Sequence, residues 1–399
     1  MMITVEKIKE HAQRIGPEII SIRRHLHAHP ELSFYEKETA AFISSKLASW
    51  NIQHMSGIGG NGVVALIKGK LSSDKVIALR ADMDALPITE KNEVDYRSQN
   101  EGVMHACGHD VHSSSLLGTV KILNELRDDF GGTVKFIFQP AEEKLPGGAS
   151  LMIKEGVLEN PSPQVIIAQH VFTQLPAGKA GFFGGRYMAS SDELYLIVKG
   201  KGGHAAVPAG VINPLYTAAS LLVELEKFAK KLAASGIPNV LAFGKITGAG
   251  ATNVIPDEVN IEGTFRAMDE KWRFAVHEQL RELIRNFSAS HEGSVELEIR
   301  VGYPFLENNE KVTAACRQAA VDYIGPENVA DLTTWMASED FAFYSQKIPA
   351  CFYRIGTGNP AKNITSPVHT PTFNIDESAL GISTGLMAWI TVKLLNGSG

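Results

Sequence analysis

The sequence predicts an α/β protein: one domain with a mostly parallel sheet covered by helices, and a ferredoxin-like domain inserted into it. Two changes of rhythm carry that prediction. From about residue 60 to 185, short apolar runs alternate with helical patterns, the signature of βαβ units. From 187 to 300 the order becomes β-α-β-β-α-β, the split βαβ unit, after which the first kind of pattern returns. The expected boundaries are therefore 1–186 and 301–399 for the two segments of the main domain and 187–300 for the insertion.

The elements follow in chain order. "MMITVEKIKEHAQRIG" reads as an amphipathic helix, and Pro30 closes the helical stretch that follows it. "GVVALIKG" and "KVIALRADMDALP" are strands, followed by a helix over about Val111–Leu126. "GTVKFIFQPAEE" is a strand ended by Pro140, and "PQVIIAQHV" is another. In the insertion, "DELYLIVKG", "PNVLAFGKITGA", "EVNIEGTFRAM" and "SVELEIRVGYP" are strands. "NPLYTAASLLVELEKFAKKLA" and "DEKWRFAVHEQLRELIRNF" are its helices. A helix over Glu310–Tyr323 and a closing helix over about Asp376–Leu395 complete the chain.

Composition narrows the function classes. The chain has 399 residues, 44% hydrophobic and 21% charged, with a net charge of −6, which gives no electrostatic footprint for nucleic acid. No run approaches the roughly 18 apolar residues of a spanning helix, and the N-terminus lacks the apolar core of a signal peptide. Three cysteines (Cys107, Cys316, Cys351) are too few for a disulfide framework, so a cytoplasmic location is expected, with neither membrane nor nucleic acid as partner.

The polar residues sit where open α/β sheets bind ligands, outside the carboxyl ends of the strands. Asp82 and Asp84 follow "VIAL", Glu142 and Glu143 follow "VKFIF", and His170 follows "VIIA". "MHACGHDVH" adds His105, Cys107, His109 and His112 in the loop before a helix. A Glu–Glu pair is ordinarily solvated. After a strand that reads as buried, two carboxylates repel unless a cation lies between them. Blander readings stay open for single residues: an inert Cys107, a surface or capping His112, a loop histidine at His369 or His204, a surface strand Arg266. For Asp340 the reading is a helix cap, and for Arg23, His25, His27 and His29 a structural cluster. A cysteine hydrolase with Cys107 as nucleophile and His109 or His112 as base leaves Glu142, Glu143, His170 and His369 unexplained. A closed structural zinc site would use Cys and His alone.

Taken in order, "RRHLHAHPELSF", "ALRADMDALP", "MHACGHDVH", "FQPAEE", "GGHAAVP", "ATNVIP", "MASEDF" and "HTPTFN" resemble the M20 family of metal-dependent peptidases and amidohydrolases. The branch they resemble holds N-acyl-amino-acid amidohydrolases, hippurate hydrolases and auxin-conjugate hydrolases. The resemblance implies that the main domain is catalytic and that the insertion is a lid or dimerisation domain joining a homodimer. It implies two divalent metal ions per subunit, Zn²⁺ first, with Mn²⁺, Co²⁺ or Ni²⁺ as alternatives. Cys107, His109, Glu143, His170 and His369 would be their ligands. Glu142 would be the general base. Asp84 would orient a ligand or tune the base, and His204 would donate to the oxyanion from a neighbouring subunit. Asn253 and Arg266 would bind the substrate carboxylate. Asp82 stands where the wider family has a metal-binding histidine. The reaction implied is hydrolysis of N-acetyl or N-benzoyl L-amino acids by a metal-activated water. Within the family the alternative is an aminopeptidase or dipeptidase.

Overall fold

The computed structural model describes residues 3–397. The chain opens with α1 (Val5–Ala28) and α2 (Lys37–Ser49), then β1 (His54–Ile58), β2 (Gly62–Lys68) and β3 (Leu71–Asp82). It continues through α3 (His109–Glu125), β4 (Gly131–Gln139), α4 (Gly148–Lys154), β5 (Val165–Pro176), β6 (Ala180–Phe182) and β7 (Gly185–Met188). Next come β8 (Asp192–Lys199), β9 (Gly203–His204), α5 (Pro214–Ala233), β10 (Asn239–Thr247), β11 (Val254–Ile255), β12 (Glu258–Ala267), α6 (Glu270–Ala289) and β13 (Ser294–Val301). The last stretch holds β14 (Leu306–Asn308), α7 (Glu310–Ile324), β15 (Val329–Asp331), α8 (Ala342–Ser345), β16 (Ala350–Gly358) and α9 (Ala379–Asn396).

These elements form two compact units. Unit 1 takes the chain up to Tyr187, Glu307–Thr333 and everything from Asp340 onward; unit 2 takes Met188–Leu306 and Thr334–Glu339. Unit 1 is an α/β unit around one eight-stranded sheet, in the order β1-β2-β4-β3-β5-β16-β6-β15. The central pairs β3–β4, β3–β5 and β5–β16 are parallel, as is β6–β15. The central strands are buried nearly throughout because helices cover the sheet, so they read as continuous apolar runs rather than alternating ones. α1, α3 and α9 pack together, with Ile15, Ile19, Leu117, Val120, Leu386 and Ile390 in the core. α9 is long and apolar enough to cross a bilayer, which the sequence reading did not credit to any run; 72% of it is buried inside the protein, as a core helix would be.

Unit 2 carries the antiparallel sheet β10-β12-β8-β13. With α5 and α6 between its strands, this is the βαββαβ order and topology expected of the insertion. Period-two burial explains its core: Leu194, Leu196 and Val198 of β8 and Val259 and Ile261 of β12 point to Leu221, Leu225, Leu280 and Ile284 of the helices. Each helix begins where its side-chain cap dictates. Asn213 accepts from Leu215 N at 3.0 Å with Pro214 in the first turn, and Asp269 accepts from Trp272 N at 2.9 Å.

Leu117 is fully buried where α3 packs into the unit 1 core. Leu117→Ala should lower the unfolding free energy by about 2–5 kcal/mol, the range for a large-to-small core change. Urea denaturation checks this, and a loss below about 1 kcal/mol would mean the helix layer repacks around the gap.

Candidate metal centre and active site

β3 and β4 end side by side, Asp82 opposite Gln139, and β5 lies next to β3 in the same direction. The parallel register therefore delivers the residues after each strand to one rim. His170 lies within β5 rather than after it, because β5 continues pairing with β16 through Phe172 and beyond. Cys107 and His109 flank Gly108, which has φ +86 and precedes α3. A Cβ at Gly108 would meet Val171 Cγ2 at 2.5 Å, so only glycine lets the loop turn close to β5. That turn brings two ligand types together at a spacing no helix face could.

The five proposed ligands converge. Cys107 Sγ lies 3.4 Å from His170 Nε2 and 3.4 Å from His369 Nε2. His369 Nε2 is 3.1 Å from Glu143 Oε1 without hydrogen-bond geometry, and His109 Nε2 is 4.0 Å from the same oxygen. His369 is exposed and left-handed (φ +63), and its N–H donates to Ala106 O at 2.7 Å, which ties the proline-flanked loop to the Cys107 turn. Its neighbours, not its own sequence context, single it out.

Hydrogen bonds on the far side fix the two buried imidazoles. Val171 O lies 2.8 Å from His170 Nδ1, so the ring donates there and turns the Nε2 lone pair inward. Burial, then the nearby Arg354 charge, holds the His170 pKa well below its ordinary value, which keeps the ring neutral. His109 Nδ1 is 3.2 Å from Asp84 Oδ1. Its Nε2 is buried and has no hydrogen-bond partner among the described residues. Burial disfavours a charged His109, yet Asp82, Asp84 and Glu143 outweigh it and push its pKa up to about 10. Positive charge is in demand at this point. His109, with its orphaned and buried Nε2, groups with the Cys107 thiol and the His170 imidazole and also with the Glu142 and Glu143 carboxylates, a donor set that fits a borderline-soft divalent ion.

The remaining acids have distinct partners. Asp84 Oδ2 accepts from Ser33 Oγ at 2.7 Å and Glu143 N at 3.0 Å, so Asp84 orients both His109 and the Glu143 backbone. Asp82 has one oxygen 2.6 Å from Arg80 and the other 2.6 Å from His112 Nδ1. His112 Nε2 accepts from Val171 N at 2.9 Å, which fixes the donor nitrogen as Nδ1. Neither a surface nor a capping role holds for His112: it is buried and welds Asp82 to β5. Glu142 turns Oε1 to Asp340 N at 3.4 Å and Oε2 to His109 Nε2 at 4.0 Å. Asp340 accepts from Arg80 Nη2, Gln139 Nε2 and Ala149 N at 2.8–3.0 Å. Arg80, Gln139 and Asp340 were missed as site residues. Their one signal in the sequence is an arginine inside the apolar run "VIALRAD". Of the N-terminal cluster, Arg23 and His27 are buried against Asp110 at 2.8 Å, while His25 stacks on Phe42 with ring centroids 4.1 Å apart.

Three other candidates lie in unit 2. His204 and Asn253 are brought together: His204 pairs with Val254, and Ala205 N donates to Asn253 O at 3.0 Å. Both are exposed. Ala206 N donates to His204 Nδ1 at 3.1 Å, which leaves the ring proton on Nε2. Arg266 stands apart on β12, half-buried, and donates to Ser338 Oγ at 2.9 Å.

The sequence pattern of peptidase family M20/M25/M40 matches residues 78–390, a span that holds every ligand candidate. The chain belongs to this family. It is 40% identical to the N-acyl-L-amino acid amidohydrolase of Geobacillus stearothermophilus, over 77% of this chain and 83% of that one. It is 37% identical to the N-acetylcysteine deacetylase of Bacillus subtilis strain 168, over 94% and 97%. Among solved structures it resembles the Bacillus subtilis YXEP protein, described as a dinuclear metal binding peptidase of the M20 family, with a TM-score of 0.82 and 33% identity. That match covers 97% of this chain and 99% of the other. The protein is thus an M20-family hydrolase with residues grouped to hold metal.

Asp84→Asn should weaken metal retention by about 10–100-fold, the usual cost of losing a partner that orients a ligand. Competition with a chelator, read as metal per subunit, measures it. Unchanged retention would remove Asp84 from the metal centre.

Proposed function

We propose that the protein hydrolyses the amide bond of N-acyl L-amino acids, releasing a carboxylate and the free amino acid. The single observation that supports this most is Glu142, placed beside the Cys107–His109–Glu143–His170–His369 group with one oxygen towards His109. In this reading those five residues hold two divalent ions, with Zn²⁺ favoured by the mixed S, N and O donors. The bound ions would polarise the amide carbonyl and lower the pKa of a water from 15.7 towards about 7. Glu142 then takes the proton of the attacking water and delivers it to the amine nitrogen as the C–N bond breaks, while the Asp340 N–H steadies its other oxygen. Asp84 keeps the His109 ring and the Glu143 backbone in place.

We further assign unit 1 as the catalytic domain and unit 2 as a lid and dimerisation domain, in a cytoplasmic homodimer. His204, with its proton on Nε2, would donate to the oxyanion in the site of a second copy of the chain. Asn253 and Arg266 would hold the substrate carboxylate. The names of the relatives favour N-acyl substrates over free-amine peptides.

The experiment is a hydrolysis panel of N-acetyl amino acids, N-benzoyl amino acids and dipeptides, with the protein metal-loaded or chelated. Turnover of the N-acyl compounds should vanish on chelation and return with Zn²⁺, Mn²⁺ or Co²⁺. Preference for dipeptides would replace this substrate class with the peptidase one. Glu142→Gln should keep its metal and lower kcat by about 10²–10⁴, the range for a lost general base. Glu143→Gln should lose metal. A Glu142→Gln protein that also loses its metal would show the two roles reversed.

A further inference from the structure

Glu36 is fully buried, yet it stands at the N-cap of α2 and makes no side-chain hydrogen bond to that helix. Short side chains such as Asp or Ser ordinarily cap a helix from this position, and the longer Glu36 does not. Here it turns away. Oε1 accepts the N–H of Ala141 at 2.7 Å and of Phe34 at 3.0 Å, and Oε2 accepts from Asn61 Nδ2 at 3.1 Å. Both backbone donors belong to left-handed residues, Ala141 with φ +51 and Phe34 with φ +72. Non-glycine residues hold that conformation only when their surroundings impose it.

Ala141 immediately precedes Glu142 and Glu143, so its dihedral angles set the direction in which the pair leaves β4. Its carbonyl is fixed separately, by Gly148 N at 2.9 Å, and Glu143 N is fixed by Asp84. Three anchors therefore frame the one peptide segment that carries Glu142. Glu36 supplies the anchor at its start.

We propose that Glu36 is a positioning residue for the hydrolysis: by holding Ala141 in its left-handed conformation through the Ala141 N–H, it aims the Glu142 carboxylate. The proposal rests on the function proposed above. It differs from a purely structural role, because a structural residue would change stability without a selective effect on kcat.

The test compares metal-loaded Glu36→Ala, Glu36→Gln and the double variant Glu36→Ala with Ala141→Gly, on an N-acetyl amino acid. Metal content and thermal midpoint are read for each protein, and the crystal structure of the Glu36→Ala protein gives φ at 141. Glu36→Ala should lower kcat about tenfold, the scale of one lost charge-assisted hydrogen bond, with KM and metal content within about twofold. Glu36→Gln keeps a carbonyl oxygen for the Ala141 N–H and should lose less. Glycine adopts positive φ without strain, so the double variant should recover several-fold in kcat over Glu36→Ala. Residue 141 should leave the left-handed region in the Glu36→Ala crystal. If Glu36→Ala does not fold, the same recovery is sought by adding Ala141→Gly to Glu36→Gln. Wild-type kcat in the folded Glu36→Ala protein, or a loss that glycine does not recover, overturns the proposal. Glu142→Gln is run alongside. If it lacks activity while Glu36→Ala retains it, only the Glu36 assignment fails; if it stays active, the function and this inference fall together.

Discussion

The constraint on which unit 1 is organised is an excess of buried carboxylate at the end of a parallel sheet. Asp82, Asp84, Asp110, Glu142 and Asp340 all lie within the protein, with Glu143 half-buried beside them. Burying an ionised carboxylate without a partner is costly, and the cost rises when like charges share the site. The fold answers each acid individually. Arg80 bridges Asp82 and Asp340, and Arg23 with His27 neutralises Asp110. His109 faces Asp84 through one nitrogen. Glu142 and Glu143 each have an oxygen 4.0 Å from His109 Nε2, and Glu143 has one 3.1 Å from His369 Nε2. These imidazoles also lie beside the Cys107 thiol, so carboxylate, imidazole and thiol groups meet at one place.

That electrostatic pattern also separates the chemical readings of Cys107. A nucleophilic cysteine needs a lowered pKa and a base able to take its proton. Burial, followed by the charges of Glu143 and Glu142, raises the Cys107 thiol well above its ordinary value. Both nitrogens of His112 are occupied, and His109 donates away from the thiol towards Asp84. A cation at the meeting point reverses this balance, because coordination deprotonates a thiol outright. The two oxygens of Asp82 are engaged by Arg80 and His112.

The two rhythms of the sequence made the fold legible, because buried parallel strands and amphipathic strands leave different patterns. The rim was legible for the same reason, since Asp82, Glu142 and Glu143 follow runs whose burial can be read locally. What escaped was the partner of each polar group, because those partners come from distant elements. Asp340 reads as a cap from its neighbours in sequence, but it meets Arg80 from 260 residues away. His112 reads as polar surface until β3 and β5 enclose it. Glu36 sits in an ordinary helix start, "SFYEKETA", and its bond to Ala141 spans 105 positions. β5 outran its expected end because pairing with β16, not its own composition, sets its length.

A buried arginine inside an apolar strand calls for a physical reason, since replacing a buried ion pair by apolar packing is often neutral or stabilising. Stability is therefore a weak account of Arg80. Geometry is a stronger one. Its guanidinium joins the end of β3, through Asp82, to the end of β4, through Gln139 Oε1 at 3.0 Å, and both to Asp340. The backbone N–H of Asp340 is in turn the group that touches Glu142. A planar fork with fixed donor directions can set three attachments at once, which a lysine or an apolar side chain cannot. From that joint, Asp82 reaches His112 and β5, and Asp340 reaches Glu142. The His112 side and the Glu142 side of the rim are thus both attached to one buried cation, through Asp82 and through Asp340.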